Sequence, residues 1–233
     1  MDRRRFFLLQ CASLALGLWL WVGCVQVPSE VESTFASPTL GQVDTATIDA
    51  CMVCHSTREM QRGPVLDGLP EWYLTEQLRN FKSGHRGKNP SNRSEALMGA
   101  AMAKVVTEAQ LSALARHFAG RKPQSYIRVV RGNIDIGRAH YATRCASCHG
   151  AKGEGKPEIK SPPVNVQEDW FLLDQLRKYA NGQRSVHPGD AGGLVMKAAL
   201  AGLTPGDFQN MTAYIARDLT VTPPLQKAGP PKK

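Results

Sequence analysis

The spacing of apolar side chains along the chain predicts short amphipathic helices. Leu74, Leu78 and Phe81 recur at intervals of four and three residues, which places them on one face of a helix. Residues 172–179 repeat this spacing. No stretch alternates apolar and polar residues for long enough to predict a sheet. The pattern therefore predicts an all-α fold.

The final helix of each half of the chain is predicted by the same kind of stripe. Apolar residues line one face of residues 111–118 and again of residues 208–215. Thr107 and Thr204 precede these stripes, and a threonine hydroxyl at this position caps the first turn of a helix. Both halves therefore end in a capped amphipathic helix.

A Cys-x-x-Cys-His pentad occurs twice, at residues 51–55 and 145–149. Thiols three residues apart on a helical turn face the same way, so both can bond the vinyl groups of one haem. The histidine that follows, His55 or His149, then projects toward the iron as its proximal ligand. The sequence predicts two covalently bound haem c groups, attached through Cys51, Cys54, Cys145 and Cys148.

A zinc site and a thioredoxin-like redox pair are the alternatives for this pattern. Zinc needs further Cys or His at paired spacing, and only two of the six cysteines, Cys11 and Cys24 near the N-terminus, lie outside the pentads. A redox pair occurs once, beside a βαβ pattern, whereas the pentad occurs twice in helical sequence. Haem attachment is the preferred interpretation.

The two halves are copies of one domain. Residues 72–78 match residues 170–176, and residues 98–103 match residues 196–201. The offset is 94 at the pentads and 98 afterwards, so the second copy carries four extra residues within 150–161. The pattern is a tandem duplication.

The copies differ ahead of the pentads, since only the second has a strong helical signal there. We therefore expect a shortened leading helix in the first copy, with a more open haem edge.

The predicted domains and connecting segments are 46–121 for the N-terminal domain, 122–133 for a linker, 134–219 for the C-terminal domain and 220–233 for a disordered Pro/Lys-rich tail.

Residues 1–23 have the layout of a signal peptide or membrane anchor, with a basic start and then the apolar residues 6–22. Cys24 resembles a bacterial lipoprotein cleavage site. Its lipidation is one alternative, and an uncleaved anchor or a later cleavage is the other. Residues 24–45 are expected to form a flexible tether. In each version we expect the remaining chain in the periplasm, either free or tethered to the membrane.

The chain is basic, with 29 Lys and Arg against 20 Asp and Glu and a formal net charge of +9. Nucleic acid is not an expected partner outside the cytoplasm. A basic surface there suits an acidic redox protein or an anionic membrane face.

With these motifs laid out, residues 46–219 resemble the tandem diheme class I cytochromes c of the cytochrome c-four type. The resemblance implies two small helical domains, each folded around one haem. It also implies that the carbonyl groups of Pro64 and Pro162 orient the proximal histidines. The implied axial ligands are His55 and Met98 for the first iron and His149 and Met196 for the second. The chain departs from the pattern at Ser56, which stands where glycine is usual after the first pentad.

The distal ligand of the first haem has two candidates. Aligning the copies pairs Met98 with Met196, and Met102 with the packing residue Leu200. If the copies are aligned backward from the last helix instead, the alignment is shifted by one residue and pairs Met98 with Val195. The two alignments agree only if this shift lies near residues 105–106. Met98 is therefore preferred and Met102 is the alternative. The other histidines are assigned surface or packing roles: His85, His117, His140 and His187.

Arg86 and Arg184 recur in both copies and are candidates to bind haem propionates, the alternative being solvated arginines. Trp72 and Trp170 are expected to pack against haem or core.

An iron with histidine and methionine ligands has no free position for a substrate, so such a site supports outer-sphere electron transfer. We expect no catalytic residues and a single-electron carrier between respiratory redox complexes. A quinol-oxidising complex or a dehydrogenase would donate electrons, and a terminal oxidase or reductase would accept them. The alternatives are a peroxidase-like diheme enzyme, a gas-binding haem protein with a labile distal ligand, and a subunit of a respiratory complex.

Overall fold

The computed structural model describes residues 43–56, 61–105 and 107–222. The predicted leader, the possible lipidation site at Cys24, most of the tether and the tail from residue 223 lie outside the described residues. The described chain is helical, and its only β-type pairing is an isolated bridge between Lys156 and Ser161. None of its helices is long and apolar enough to cross a membrane.

The N-terminal half contains four described helices: α1 (Thr45–His55), α2 (Glu71–Ser83), α3 (Arg93–Met102) and α4 (Glu108–Ala119). The C-terminal half contains, in order, α5 (Ile134–His140), a π-helical turn (Tyr141–Cys145), α6 (Ala146–His149), a 3₁₀ turn (Pro157–Ile159), α7 (Asp169–Ala180), α8 (Ala191–Ala199), α9 (Pro205–Tyr214) and a second π-helical turn (Ile215–Leu219). The connector 120–133 has no regular secondary structure.

Side-chain caps fix where the paired helices begin. Thr107 and Thr204 form capping boxes at the starts of α4 and α9, as the sequence predicted. Asn92 and Asp190 cap α3 and α8, and each accepts a hydrogen bond from the third residue of its helix. Asn92 and Asp190 are 98 residues apart but the two threonines are only 97 apart, so the slip of one residue lies between α3 and α4, as predicted.

Each half has its own hydrophobic core. In the first, helices α2, α3 and α4 supply most of the buried side chains, among them Leu74, Leu78, Phe81, Met102, Leu111, Leu114 and Phe118. In the second, the buried cluster is smaller and consists of Leu173, Tyr179, Leu200, Phe208 and Met211. The α7 stripe differs from the prediction in one place, since Leu173 rather than Leu172 is buried.

The leading helix is shorter in the first copy, as predicted. Helix α1 starts at Thr45, capped by Asp44, and runs for 11 residues. Its counterpart runs from Ile134 through a π-helical turn to His149. In the second copy, Gly137 of α5 lies against α9 so closely that a Cβ atom there would be 2.0 Å from the carbonyl oxygen of Asn210. The extra length of α5 therefore gives the C-terminal domain a crossing with α9 that the described residues of α1 do not repeat.

Candidate haem sites

The two pentad histidines make the same contact with a proline carbonyl group. The Nδ1 atom of His55 lies 2.6 Å from the carbonyl oxygen of Pro64, and that of His149 lies 2.8 Å from the carbonyl oxygen of Pro162. A carbonyl only accepts hydrogen bonds, so Nδ1 carries the proton in both rings. Nε2 is then the nitrogen that is left to ligate iron. This geometry agrees with the orienting role predicted for the two prolines.

Burial prepares both rings for ligation. It lowers the pKa of His55 and of His149 below the ordinary value, while the hydrogen bond to the proline carbonyl acts in the opposite direction. The negative charge of Glu168 also acts to raise the pKa of His55. The neutral imidazole, which is the form that binds iron, is favoured in both domains.

The chain leaves the two pentads in different conformations. Gly150 has a φ of 81°, in a region that favours glycine, and its carbonyl accepts a hydrogen bond from the Tyr141 hydroxyl at 2.7 Å. Ser56 follows the first pentad with a φ of −101° in extended conformation. The serine is therefore tolerated because the first copy makes a different exit from its pentad.

The first thiol of each pentad faces its own core. Cys51 packs against the N-terminal cluster and Cys145 against the C-terminal cluster, where its sulfur lies 3.7 Å from that of Met211. Burial raises the pKa of Cys145 to about 11. Cys148 is exposed. In the second pentad, one thiol therefore lies at the core and the other at the surface, where both could bond one haem.

The two methionines of α3 occupy different environments. Met102 is 3% exposed and belongs to the buried core, whereas Met98 is half-buried at the edge of that core. In the second copy, Met196 of α8 is half-buried and Leu200, directly after α8, is 4% exposed. The structure thus repeats the sequence pairing of Met98 with Met196 and of Met102 with Leu200, and the assignment of Met98 as the ligand stays a prediction.

Arg86 and Arg184 are buried, so the alternative of solvated arginines is wrong. Each guanidinium lies 4.4 Å from the centre of an aromatic ring in its own domain, Phe81 or Tyr179. The Nη1 atoms donate at 2.5 Å to equivalent glutamines, Arg86 to Gln77 and Arg184 to Gln175. The copies therefore build the same arginine site from a loop and a helix.

The two arginine sites meet between the domains. Arg86 pairs with Glu95, and Arg184 Nε lies 3.9 Å from the same carboxylate. Arg184 Nη2 also donates to Gln77 of the other domain at 3.3 Å. Two guanidiniums thus share one buried carboxylate, because Glu95 has glycine, Gly193, as its counterpart in the second copy.

Haem propionates fit this site. The Nε atoms of Arg86 and Arg184 are buried, and neither has a hydrogen-bond partner among the described residues. A buried donor without an acceptor is costly, and so is a buried charge without full compensation. A propionate from each haem would supply both the missing acceptor and the missing charge.

Sequence reasoning missed the polar residues between the domains. The rings of His85 and His187 stack across this contact with their centres 4.5 Å apart, although the two residues do not correspond between the copies. Gln77 and Gln175 recur at equivalent positions of the two copies, which was a signal, but Glu95 gave none. The role of all three was missed because a polar residue on a helix is read as solvent-facing until its tertiary neighbours are known.

The other histidines have packing or surface contacts, in keeping with the prediction. His140 Nε2 lies 3.0 Å from a carboxylate oxygen of Asp207, and the His117 ring meets the Phe118 ring edge-on. The tryptophan rings make edge contacts with their neighbours, Trp72 with Tyr73 and Trp170 with Phe171.

Comparison with known protein families shows which family the chain belongs to. The profile described as Cytochrome c matches the chain twice, at residues 44–119 and 134–217. The chain belongs to the cytochrome c family. Each match contains one pentad, the proline whose carbonyl accepts from its histidine, and the preferred distal methionine, Met98 or Met196.

Relatives of this tandem cytochrome carry two kinds of name. The chain is 29% identical to a thiosulfate dehydrogenase electron acceptor of Thiomonas intermedia over 72% of its own length and 77% of that protein. It is 24% identical to cytochrome c4 of Azotobacter vinelandii over 75% of its length and 86% of that protein.

Solved structures share the fold. The cytochrome c4 of Acidithiobacillus ferrooxidans matches with a TM-score of 0.58 at 22% identity, over 72% of this cytochrome and 98% of that chain. A thiosulfate dehydrogenase of Marichromatium purpuratum matches with a TM-score of 0.56 at 25% identity, over 72% of this cytochrome and 36% of that chain. The predictions of an all-α tandem fold, of two covalently bound haem c groups and of an electron-transfer protein rather than an enzyme are confirmed.

Proposed function

We propose that this cytochrome carries single electrons in the periplasm, free or held at the membrane by its N-terminus. In this proposal, a dehydrogenase or quinol-oxidising complex reduces it and a terminal oxidase or reductase oxidises it. The observation that carries the proposal is the repeated ligand geometry. Both domains place a carbonyl-bound histidine and a half-buried methionine at equivalent positions. With both side chains as ligands, neither iron would have a position for substrate.

His55 with Met98, and His149 with Met196, would hold the two irons, and the four pentad cysteines would hold the haem edges. The bound haem supplies reversible one-electron chemistry at the iron. Pro64 and Pro162 fix the tautomer and orientation of the histidines through their carbonyl groups. Arg86 and Arg184 would hold the propionates at the contact between the domains.

The preferred donor is a dehydrogenase that oxidises a small inorganic sulfur compound. Two relatives are named as electron acceptors of thiosulfate dehydrogenase, and one structural match is a thiosulfate dehydrogenase itself. The net charge of +9 favours a donor with an acidic docking face, for which the encounter rate falls as salt is added.

A carbon monoxide test separates a carrier from a gas-binding or peroxidase-like protein. The ferrous holoprotein would be scanned before and after addition of the gas. No spectral change at either haem is expected, because both irons already have six ligands. A change at one haem would overturn the carrier proposal, since it would reveal an open or labile position.

The donor is tested separately by mixing the oxidised cytochrome with thiosulfate dehydrogenase and thiosulfate. Rapid reduction that slows as ionic strength increases is expected. Reduction no faster than with the dehydrogenase omitted would reject this donor and leave a quinol-oxidising complex as the candidate.

A further inference from the structure

A single peptide group connects the first proximal histidine to the other domain. This is the peptide between Pro64 and Val65. Its oxygen accepts the hydrogen bond from His55 Nδ1 at 2.6 Å, and its N–H donates to Glu168 Oε2 at 2.8 Å. Glu168 lies 103 residues further along the chain than Val65, in the segment that begins α7 of the C-terminal domain.

The Glu168 carboxylate is built into this contact and is not a mobile surface group. Its residue is only 4% exposed. Gln61 Nε2 donates to both of its oxygens, at 2.8 and 2.9 Å, and also to the carbonyl oxygen of Gly63 at 3.0 Å. This buried carboxylate is held by hydrogen bonds from two residues. Because little water screens its charge, it interacts more strongly with its neighbours than an exposed carboxylate would.

The second domain lacks this arrangement for a covalent reason. His149 is held by the carbonyl oxygen of Pro162, and the nitrogen of that peptide belongs to Pro163, which has no N–H. The counterpart of Glu168 in the first copy is Pro70, which has no carboxylate. The connection therefore exists for the first haem only.

We propose that Glu168 is a positioning residue that lowers the reduction potential of the first haem relative to the second. Its charge polarises the Pro64–Val65 peptide so that the carbonyl oxygen binds the His55 N–H more strongly. A more basic histidine stabilises ferric iron. Reduction of the first haem removes one positive charge from the site. The nearby negative carboxylate stabilises the more positive ferric state, so it disfavours reduction. The proposal rests on the proposed function, since it requires His55 to ligate the first iron.

The test is to measure both potentials in the full-length holoprotein by spectroelectrochemistry, following each haem by the NMR signals of its own methyl groups. In Glu168→Gln, the side chain keeps its size and an oxygen that can accept from Val65, but it loses the charge. We expect the first haem to become easier to reduce, by about tenfold in its equilibrium constant, or about 59 mV for one electron. The second haem should stay within a small fraction of that shift.

A second variant tests the peptide itself. Val65→Pro gives the first copy the same Pro-Pro peptide that the second copy already accommodates. A smaller shift in the same direction is expected, because the carboxylate charge remains. The two substitutions together should shift the potential by less than the sum of the single shifts, since they break one connection. Glu158→Gln, at an exposed glutamate of the same domain, is the matched control and should leave both potentials unchanged.

Equal potentials of the first haem in the wild-type protein and in Glu168→Gln would overturn the inference, and so would equal shifts of both haems. If Glu168→Gln does not fold, an unchanged potential of the first haem in Val65→Pro overturns it as well. Failure of the proposed function would look different. It would appear in the wild-type protein, as a first haem that binds carbon monoxide.

Discussion

Burial distinguishes the two methionines of α3. Met102 belongs to the buried N-terminal core, whereas Met98 lies half-buried at the edge of that core. A side chain that is already buried within the hydrophobic core has no face left for an iron. The residue environment thus supports the choice that the repeat alignment favoured.

We expect Met98→Ala to make the first haem reactive with carbon monoxide, because its sixth ligand is removed. Met102→Ala should leave both irons six-coordinate but lower the free energy of unfolding by about 2–5 kcal/mol through the cavity that it creates. Ferrous spectra with and without the gas, together with guanidinium titrations, check both. Gas binding by Met102→Ala alone would reverse the assignment.

At the scale of secondary-structure elements, the crossing of α5 and α9 sets the C-terminal domain apart. Gly137 lets the two backbones touch, and the Tyr141 ring packs beside the Tyr214 ring one turn further on, with their centres 5.7 Å apart. Contact of this kind depends on the absence of a side chain, so no apolar pattern reveals it.

Gly137→Ala should destabilise the C-terminal domain by about 1–3 kcal/mol, because the added methyl group overlaps the backbone of Asn210. The matched control is Gly192→Ala in α8, where a Cβ atom would lie 3.7 Å from Glu76 in ordinary contact. That substitution should be neutral or stabilise by up to about 1 kcal/mol. Thermal denaturation of the holoproteins compares the two, and equal losses of stability would refute the argument.

The Asp207 carboxylate at the start of α9 should make the free energy of unfolding depend on pH. Hydrogen bonds from the Thr204 backbone N–H and hydroxyl hold the pKa of Asp207 below its ordinary value of 3.8, and His140 acts in the same direction. A carboxylate with a lowered pKa stabilises the fold above its ordinary value and loses that contribution as the pH falls through the lowered one. Denaturation should therefore show the wild-type protein more stable than Asp207→Asn at about pH 6. The difference should shrink as the pH falls below 3.8 through the lowered pKa, and a constant difference would exclude this cause.

At the scale of the whole molecule, polar groups connect the two domains. Asn92 donates to the Gln183 carbonyl at 3.2 Å, and Gln183 Nε2 donates back to the Ser91 carbonyl at 2.9 Å. Arg184 reaches Gln77 of the first domain, and the stacked His85 and His187 rings lie in the same contact. Such groups require matching partners, so the contact has one preferred arrangement.

Substitutions of Gln77 and Gln175 can distinguish the effect of the interdomain contact from that of the arginine site within each domain. The Gln77 oxygen accepts from both arginines, whereas Gln175 accepts from Arg184 of its own domain. Gln77→Ala should therefore split the unfolding of the two domains into more widely separated transitions, and Gln175→Ala should mainly lower the stability of the second. Denaturation followed separately at each haem tests this, and the same separation in both variants would contradict it.

Sequence periodicity and spacing determined most of the fold. The caps at Thr107 and Thr204, the four-residue insertion after the second pentad and the shortened first helix are all local properties, fixed by neighbours within one or two turns. Local signals of this kind are readable because the geometry of a helix repeats about every 3.6 residues.

The chain by itself also determined the chemistry, since thiols, histidines and their spacing dictate covalent haem attachment. Only the tertiary structure decided how the two sites differ. It buried Arg86 and Arg184 around one carboxylate, and it brought Glu168 to the peptide that holds His55. The contacts that cross between the domains join residues far apart in the chain, and no periodicity connects such positions. They form only when the two copies pack together, because burial then forces each polar group to find a partner.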